Sequence, residues 1–223
     1  AMPDVTSSEI LSAAFIEEAE GTRYRVIQDA TGVTCIVNKD GSSSIPKYLE
    51  FPIRDRRSWE SFRERLDPDA AGRYPAEERW EAMKAAWRKR DYPLGISVGS
   101  LFGWIRNWMG FERVSVMMYD DPGLVEDIME HLTGFLLRTA ERAVREVDFD
   151  FASMCEDMCY NHGPILSPAM FRRLMVPRYR RITDALRRRG VEVVYLDCDG
   201  NIGELVALWL EGGVNTMFPV EVG

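Results

Sequence analysis

After Tyr92 the chain adopts a rhythm that few folds can accommodate, in which short apolar runs alternate with long amphipathic stretches. The runs are Pro93 to Val98, Phe149 to Met154, Val191 to Asp197 and Val214 to Pro219. Strands joined by helical crossovers form right-handed βαβ units, so the expected fold is α/β with a parallel sheet. The crossovers carry their own punctuation. Asp121 and Pro122 supply an N-cap and a first-turn proline for a helix whose Val125, Ile128, Met129, Leu132, Leu136, Ala140 and Ala143 hold helical spacing. Ser167 and Pro168 open another helix in the same way, Pro177 splits it, and Gly190 stops it. A fourth helix is expected from near Asn201 to Gly212 and Gly213.

The first third of the chain reads differently. From Tyr24 to Asn38, β-formers lie on both sides of Asp29, Ala30, Thr31 and Gly32, which predicts a hairpin. Gly41, three serines and Pro46 then form a loop, and Arg54 to Glu64 and Ala76 to Arg90 read as surface helices. Residues 1–75 lack the β/α rhythm but no linker sets them apart, so 1–223 is read as one domain with a hairpin portion and a barrel portion.

A closed (β/α)8 barrel takes about 250 residues, whereas only four barrel-type strands are legible here. Either the chain is part of a longer protein, or the sheet is open and its edges are covered by the hairpin or by a second subunit in a homodimer; the resemblance described below implies the first, a TIM-barrel type that is incomplete in this chain.

Composition narrows the partners. A formal charge of −8 with a pI near 5.0 opposes binding to phosphate backbones, so nucleic acid is excluded. No apolar stretch approaches the roughly 20 residues of a membrane span, and acids at Asp4, Glu9, Glu17, Glu18 and Glu20 occupy the place of a secretory signal. A cytoplasmic setting follows, in which Cys35, Cys155, Cys159 and Cys198 remain thiols.

In parallel α/β folds ligands gather at the carboxyl ends of strands. Those ends carry Gly99-Ser100, Cys155-Glu156-Asp157, Asp197-Cys198-Asp199-Gly200-Asn201 and Pro219-Val220-Glu221. Glu156, Asp157, Asp197 and Asp199 are the candidate catalytic acids, since a carboxylate there can move a proton, hold a cation or grip an amide-bearing ligand. The competing reading of each acid is a helix cap. Period-two alternation points Asp197 and Asp199 the same way, with Cys198 turned aside. Such a pair repels, and relieves the repulsion by sharing a proton, receiving a divalent cation or separating as the chain turns. Tyr160, His162, Asn201 and Glu221 flank the same ends and are the candidate substrate contacts, with helix capping the simpler role for Asn201.

Cys155, Cys159, His162 and Cys198 form an alternative zinc set, although the spacing C-x3-C-x2-H is unusual and buried thiols with a hydrogen-bonded loop imidazole explain the same residues. His131, inside the long helix, reads as a packing or surface residue. Arg172, Arg173, Arg178, Arg180, Arg181, Arg187, Arg188 and Arg189 crowd the helices before the third strand and read as a solvated, ion-paired face rather than an anion site.

Several segments together resemble one family. These are Glu156 through Phe171, Val176-Pro177-Arg178-Tyr179, Asp197 through Asn201, and Leu208 through Asn215, and in their order and spacing the chain resembles the uroporphyrinogen decarboxylase superfamily. That group includes the decarboxylase and the methyltransferases that act with corrinoid proteins. The resemblance implies a (β/α)8 barrel whose mouth receives a tetrapyrrole-related or methylated substrate, and a chain shortened at both ends relative to its relatives. It also implies differences. Asp197-Cys198-Asp199 stands where the zinc-dependent methyltransferases carry His-x-Cys, so their thiolate zinc site is not reproduced. The decarboxylase's arginine-rich substrate motif and catalytic aspartate have no counterpart here.

The leading expectation is an enzyme that moves a methyl group between a small methylated compound and a corrinoid carried by a partner protein, with Asp197, Asp199, Glu156 and Asp157 orienting the substrate or protonating its leaving group, directly or through a divalent metal such as zinc bound by Asp197 and Asp199. The alternatives are cofactor-free decarboxylation of uroporphyrinogen, which would make the chain a carboxy-lyase, and a non-catalytic binding module.

Overall fold

The computed structural model describes residues 14–17, 23–42 and 45–221, the first of these as backbone only. Two sheets of opposite character organise them. The first is antiparallel, in the order β1(Ala14–Glu17), β2(Tyr24–Gln28), β3(Thr34–Asn38), β4(Lys47–Glu50). The expected hairpin is its centre. Asp29 makes the turn, its Oδ1 accepting from the N–H groups of Thr31 at 2.8 Å and Val33 at 3.0 Å. The strand β4 is new relative to the sequence reading, because all of Lys47–Glu50 is exposed and shows no alternation to betray it. Of the expected serine loop, Ser43 and Ser44 lie outside the described residues.

The helices α1(Arg56–Arg63) and α2(Glu77–Trp87) lead to the second sheet. A reciprocal capping box of Asp55 and Ser58 starts α1. Both helices are fastened by tryptophans to the long helix α5 described below. The Trp59 indole donates to Asp127 at 2.7 Å and that of Trp80 to Glu146 at 2.8 Å, each ring fully buried. A buried indole needs such a partner for its N–H, so these two bonds fix where the helices dock.

The β/α portion runs β5(Gly95–Ser97), α3(Phe102–Met109), α4(Phe111–Asp120), α5(Pro122–Glu146), β6(Phe151–Cys155), then the small hairpin β7(Cys159–Tyr160) and β8(Gly163–Pro164). It continues through α6(Pro168–Leu174), α7(Val176–Arg187), β9(Val193–Asp197), α8(Val206–Glu211) and β10(Thr216–Phe218). All four expected strands form, all are parallel, and their spatial order β5-β6-β9-β10 is their order in sequence. A sheet in which each strand adds beside its predecessor is wound like the wall of a (β/α)8 barrel, not like a doubly wound sheet with a reversal point.

Alternation along the strands separates two faces. Ile96, Ala152, Met154, Val194 and Leu196 are buried in one core with the apolar faces of the helices, where each large side chain contributes about 1.5–3 kcal/mol. The opposite face carries Phe151, Tyr195 and Phe218, whose rings step across the sheet at 6.1 and 6.5 Å. In a closed barrel that face is the lumen.

The helix boundaries match the punctuation, with Asp121 and Ser167 capping α5 and α6 and Pro177 in the first turn of α7. Two corrections apply. The last helix starts at Val206 rather than near Asn201, since residues 201–205 form turns closed by Asn201 Oδ1 accepting from Gly203 N–H at 3.1 Å. Helices α3 and α4 fill a stretch the sequence reading left unassigned. No described helix is long and apolar enough to cross a membrane.

Candidate functional site

The register of β6 on β9 sets Cys155 opposite Asp197 at the carboxyl ends of the two central strands. There the chain after β6 turns sharply, and the N–H groups of Glu156 and Asp157 both donate to the Asp197 carbonyl, at 3.0 and 3.4 Å. Asp157 takes a left-handed conformation, φ 46°, which costs a residue with a Cβ about 1–2 kcal/mol. Arg106 from α3 supports it, the guanidinium donating to the Asp157 carbonyl and, at 3.1 Å, to its Oδ2.

The exit from β9 lies against the small hairpin. Asn201 N–H donates to the Tyr160 carbonyl at 3.0 Å, and Gly200 N–H donates to Glu221 Oε2 at 3.1 Å. Gly200 has φ +84°, and a Cβ there would stand 2.7 Å from the Tyr160 nitrogen, so this approach requires glycine. Tyr160 and His162 meet edge to face at 6.0 Å between ring centres, both exposed. The contacts therefore place Asp157, Tyr160, His162, Asp197, Asp199, Asn201 and Glu221 on one rim.

Glu156 does not join them. Its side chain is fully buried, and its two oxygens accept from Ser100 Oγ at 2.9 Å, Leu101 N–H at 2.9 Å, Gly103 N–H at 2.8 Å and Tyr179 Oη at 2.9 Å. The turn that sends Asp157 outward sends Glu156 inward, beneath the start of α3. Burial pushes its carboxyl upward while the hydrogen bonds from Gly103, Leu101, Ser100 and Tyr179 pull it back. This acid, expected at the mouth, ties α3 and α7 to the end of β6.

On the rim the acids act on one another. Asp197 is raised above the ordinary carboxylate range, first by partial burial and then by the charges of Asp199 and Asp157. The Cys155 thiol is pushed up to about 11 by burial and by Asp197, Asp157 and Glu156, with Arg106 opposing. Cys198, turned aside as alternation predicts, is fully buried, and its Sγ accepts from Met158 N–H at 3.3 Å. Its neighbour Cys159 is raised by Cys198 and by burial, while Cys198 is lowered by Cys159.

The alternative zinc set is not assembled. Among the described residues no three His, Cys, Asp or Glu side chains are placed to share an ion. Cys159 and Cys198 are buried, while Cys155 and His162 are exposed to solvent. Asp197 and Asp199 alone supply two donors where a zinc site takes at least three from protein, so the donor set does not fit that metal.

The arginine-rich helices are an ion-paired face: Arg172 and Arg180 meet Glu211, Arg173 meets Glu126, and Arg178 and Arg181 meet Glu130. His131 packs edge to face on Trp59 and is lowered by burial. Arg106 and Tyr179 are the functional residues that sequence reasoning missed. The signal for Arg106 was present, as it is the single charge between Gly99 and Gly110. Tyr179 offered no local one, because its partner Glu156 lies 23 positions earlier in the chain, beyond α6 and the β7–β8 hairpin.

Comparison with known proteins agrees with this architecture. No curated protein matches the chain. Among solved structures, a methyltransferase from Methanosarcina mazei superposes with a TM-score of 0.53 at 15% sequence identity, over 78% of this chain and 49% of that one. The likeness is one of fold, and the chain spans about half the length of that protein. The family model for uroporphyrinogen decarboxylase (URO-D) matches residues 25–218, spanning the antiparallel sheet from β2 onward and the parallel strands, and the chain belongs to the URO-D family.

Proposed function

We propose that this chain forms part of the mouth of a URO-D-family methyltransferase, in which a methyl group passes from a small methylated substrate to a corrinoid held by a partner protein. The observation that carries this reading is Asp197: a half-buried carboxyl at a strand end, raised by burial and by Asp199 and Asp157. A carboxyl whose protonated form is favoured relative to an ordinary aspartate is better suited to deliver a proton to a leaving heteroatom. The corrinoid supplies the acceptor for the methyl group. This chain's residues do the rest: Asp197 protonates the sulfur, oxygen or nitrogen that the methyl group leaves, and the charge of Asp199 favours the protonated form of Asp197. Tyr160, His162, Asn201 and Glu221 line the approach, and Arg106 fixes Asp157 beside it.

The test uses reduced cobalamin as the probe acceptor with a panel of methylated thiols, amines and alcohols. Methyl transfer by the chain, reduced about 10²- to 10⁴-fold in Asp197→Asn, is the expected result. Transfer undiminished by Asp197→Asn, or none at all, overturns the reading. The family match supports decarboxylation as the second reading. Conversion of uroporphyrinogen to coproporphyrinogen, again lost in Asp197→Asn, would replace the first with the second.

A further inference from the structure

Two sulfur atoms lie just behind the rim and take no part in the reaction proposed above. Cys159 opens β7, and Cys198 follows β9 directly. The backbone on each side is already fastened to the other: Met158 N–H donates to Cys198 Sγ at 3.3 Å, Asn201 N–H donates to the Tyr160 carbonyl at 3.0 Å, and Gly200 lies so close that its Cβ would stand 2.9 Å from the Cys159 carbonyl carbon. Between these fixed points both side chains are covered, and each thiol perturbs the other, Cys159 being raised and Cys198 lowered by its neighbour. Their exposure differs in a useful way, Cys159 being 8% exposed and Cys198 fully covered. One sulfur can meet a small reagent, and the other stands directly behind it.

We propose that Cys159 and Cys198 form a reversible oxidation site that takes hydrogen peroxide or another small hydroperoxide and closes to a disulfide, tying the turn after β6 to the turn after β9. In the first step the Cys159 sulfur, which its neighbour Cys198 and burial hold protonated and therefore slow, attacks the peroxide as the one of the two that a reagent can reach. An S–O bond forms, the O–O bond breaks, and the thiol proton leaves with the departing hydroxide as water. In the second step the Cys198 sulfur attacks the sulfenic sulfur of Cys159. The S–S bond forms, the S–O bond breaks, and the Cys198 proton leaves with hydroxide as a second water. Both sulfurs are oxidised and the peroxide is reduced, with nothing left over. A dithiol reverses the bridge by exchange. Cys35, in β3 of the other sheet, and Cys155, which faces solvent without a thiol partner, serve as internal controls.

The bridge has a consequence for catalysis, because Cys198 lies between Asp197 and Asp199 and Cys159 follows Asp157 by two positions. Closing it pins the acids at one separation, and on the reading proposed above it lowers turnover until a dithiol is added. That clause depends on the proposed function, whereas the bridge itself does not.

The experiment treats the reduced, folded chain with hydrogen peroxide, counts free thiols and maps linked peptides after alkylation. The expected result is a fall from four thiols to two, loss of two hydrogens in mass, and a Cys159–Cys198 cross-linked peptide, all restored by dithiothreitol. Cys155→Ser leaves the cross-link intact, whereas Cys159→Ser and Cys198→Ser abolish it. Four surviving thiols, sulfinic acid on Cys159 beside a free Cys198, or a bridge involving Cys35 or Cys155 overturns the proposal. The mapping on the unsubstituted chain decides the matter even if replacing the buried Cys198 prevents folding. A bridge that forms without changing turnover removes the regulatory consequence and leaves the site.

Discussion

The two ends of the parallel sheet treat their acids in opposite ways. At the amino ends of β5 and β6, Asp150 accepts from Leu94 N–H at 2.7 Å and from Arg90 at 3.0 Å, which holds it below the ordinary range. At the same end Glu146, which closes α5, accepts from the Trp80 indole at 2.8 Å, from Lys84 at 2.9 Å and from Arg142 at 3.2 Å, and is lowered to about 2. At the carboxyl ends, Glu156, Asp197 and the Cys155 thiol are all raised. The difference is one of company. Each acid at the first end has a cation and a fixed donor, whereas the acids at the second face burial and one another, with Arg106 as the guanidinium paired to Asp157. Parallel β/α folds place stability at one end and chemistry at the other, and here the electrostatics mark which end is which.

The sharpest way to break that contrast is at Glu156, which sits at the chemical end yet behaves as part of the frame. Glu156→Ala leaves the hydroxyls of Ser100 and Tyr179 and two backbone N–H groups buried without the acceptor they donate to, and should cost about 3–5 kcal/mol, read from urea unfolding. Glu156→Gln keeps the shape but turns an amide N–H toward a donor, for a smaller loss of about 1–3 kcal/mol. Unchanged stability in both variants would mean that the four hydrogen bonds hold nothing together.

Asp199 tests the other side of the contrast. Its negative charge helps to raise Asp197, so Asp199→Asn lowers the pKa of Asp197. A reaction that needs protonated Asp197 slows as pH rises through that pKa, and in Asp199→Asn the limb moves toward acid. The same shift is readable in a carboxyl-labelled NMR titration. A limb that stays in place would show that the two acids do not sense each other.

How much of this was legible in the residues depends on the range of the interaction. The parallel strands were legible because apolar runs such as Val191 to Leu196 and helical periodicity along α5 are local patterns. The convergence of Asp157, Asp197 and Asp199 followed from strand order alone. The β4 edge strand was not legible, since Lys47–Glu50 is exposed throughout and carries no alternation. Nor were α3 and α4, whose first half is so apolar that no face stands out. The role of Glu156 was beyond local reading altogether, because at the sequence level it is indistinguishable from Asp157. What separates them is a left-handed turn and a tyrosine hydroxyl from α7.

At the stabilising end the expected effect is smaller and lies in acid. Glu146 is lowered in the folded chain, so it contributes stability that is fully present above its unfolded pKa near 4.5 and is lost as pH falls toward about 2. The thermal midpoint should fall across that window, and Glu146→Gln should flatten this part of the profile while lowering the midpoint at neutral pH. An acid limb that survives unchanged in Glu146→Gln would assign it to other carboxylates and weaken the contrast between the two ends.

The smallest effect needs no substrate. Cys155 stands on the rim, and its thiol at about 11 reports the surrounding charge directly. Near pH 8 its thiolate fraction is about a hundredfold below that of a thiol titrating at the usual value of 9.0, so alkylation by iodoacetamide should be correspondingly slow. Asp197→Asn and Asp157→Asn each remove a raising charge and should speed alkylation several-fold, with Asp197→Asn ahead because its contribution is the larger. Arg106→Ala removes the opposing cation and should slow it further. Three changes with these signs would locate the acids around one thiol in the folded chain, independently of any assay of turnover. If alkylation is indifferent to all three, the charges lie too far from Cys155 to share a rim with it, and the carboxyl end of the sheet loses the property that set it apart.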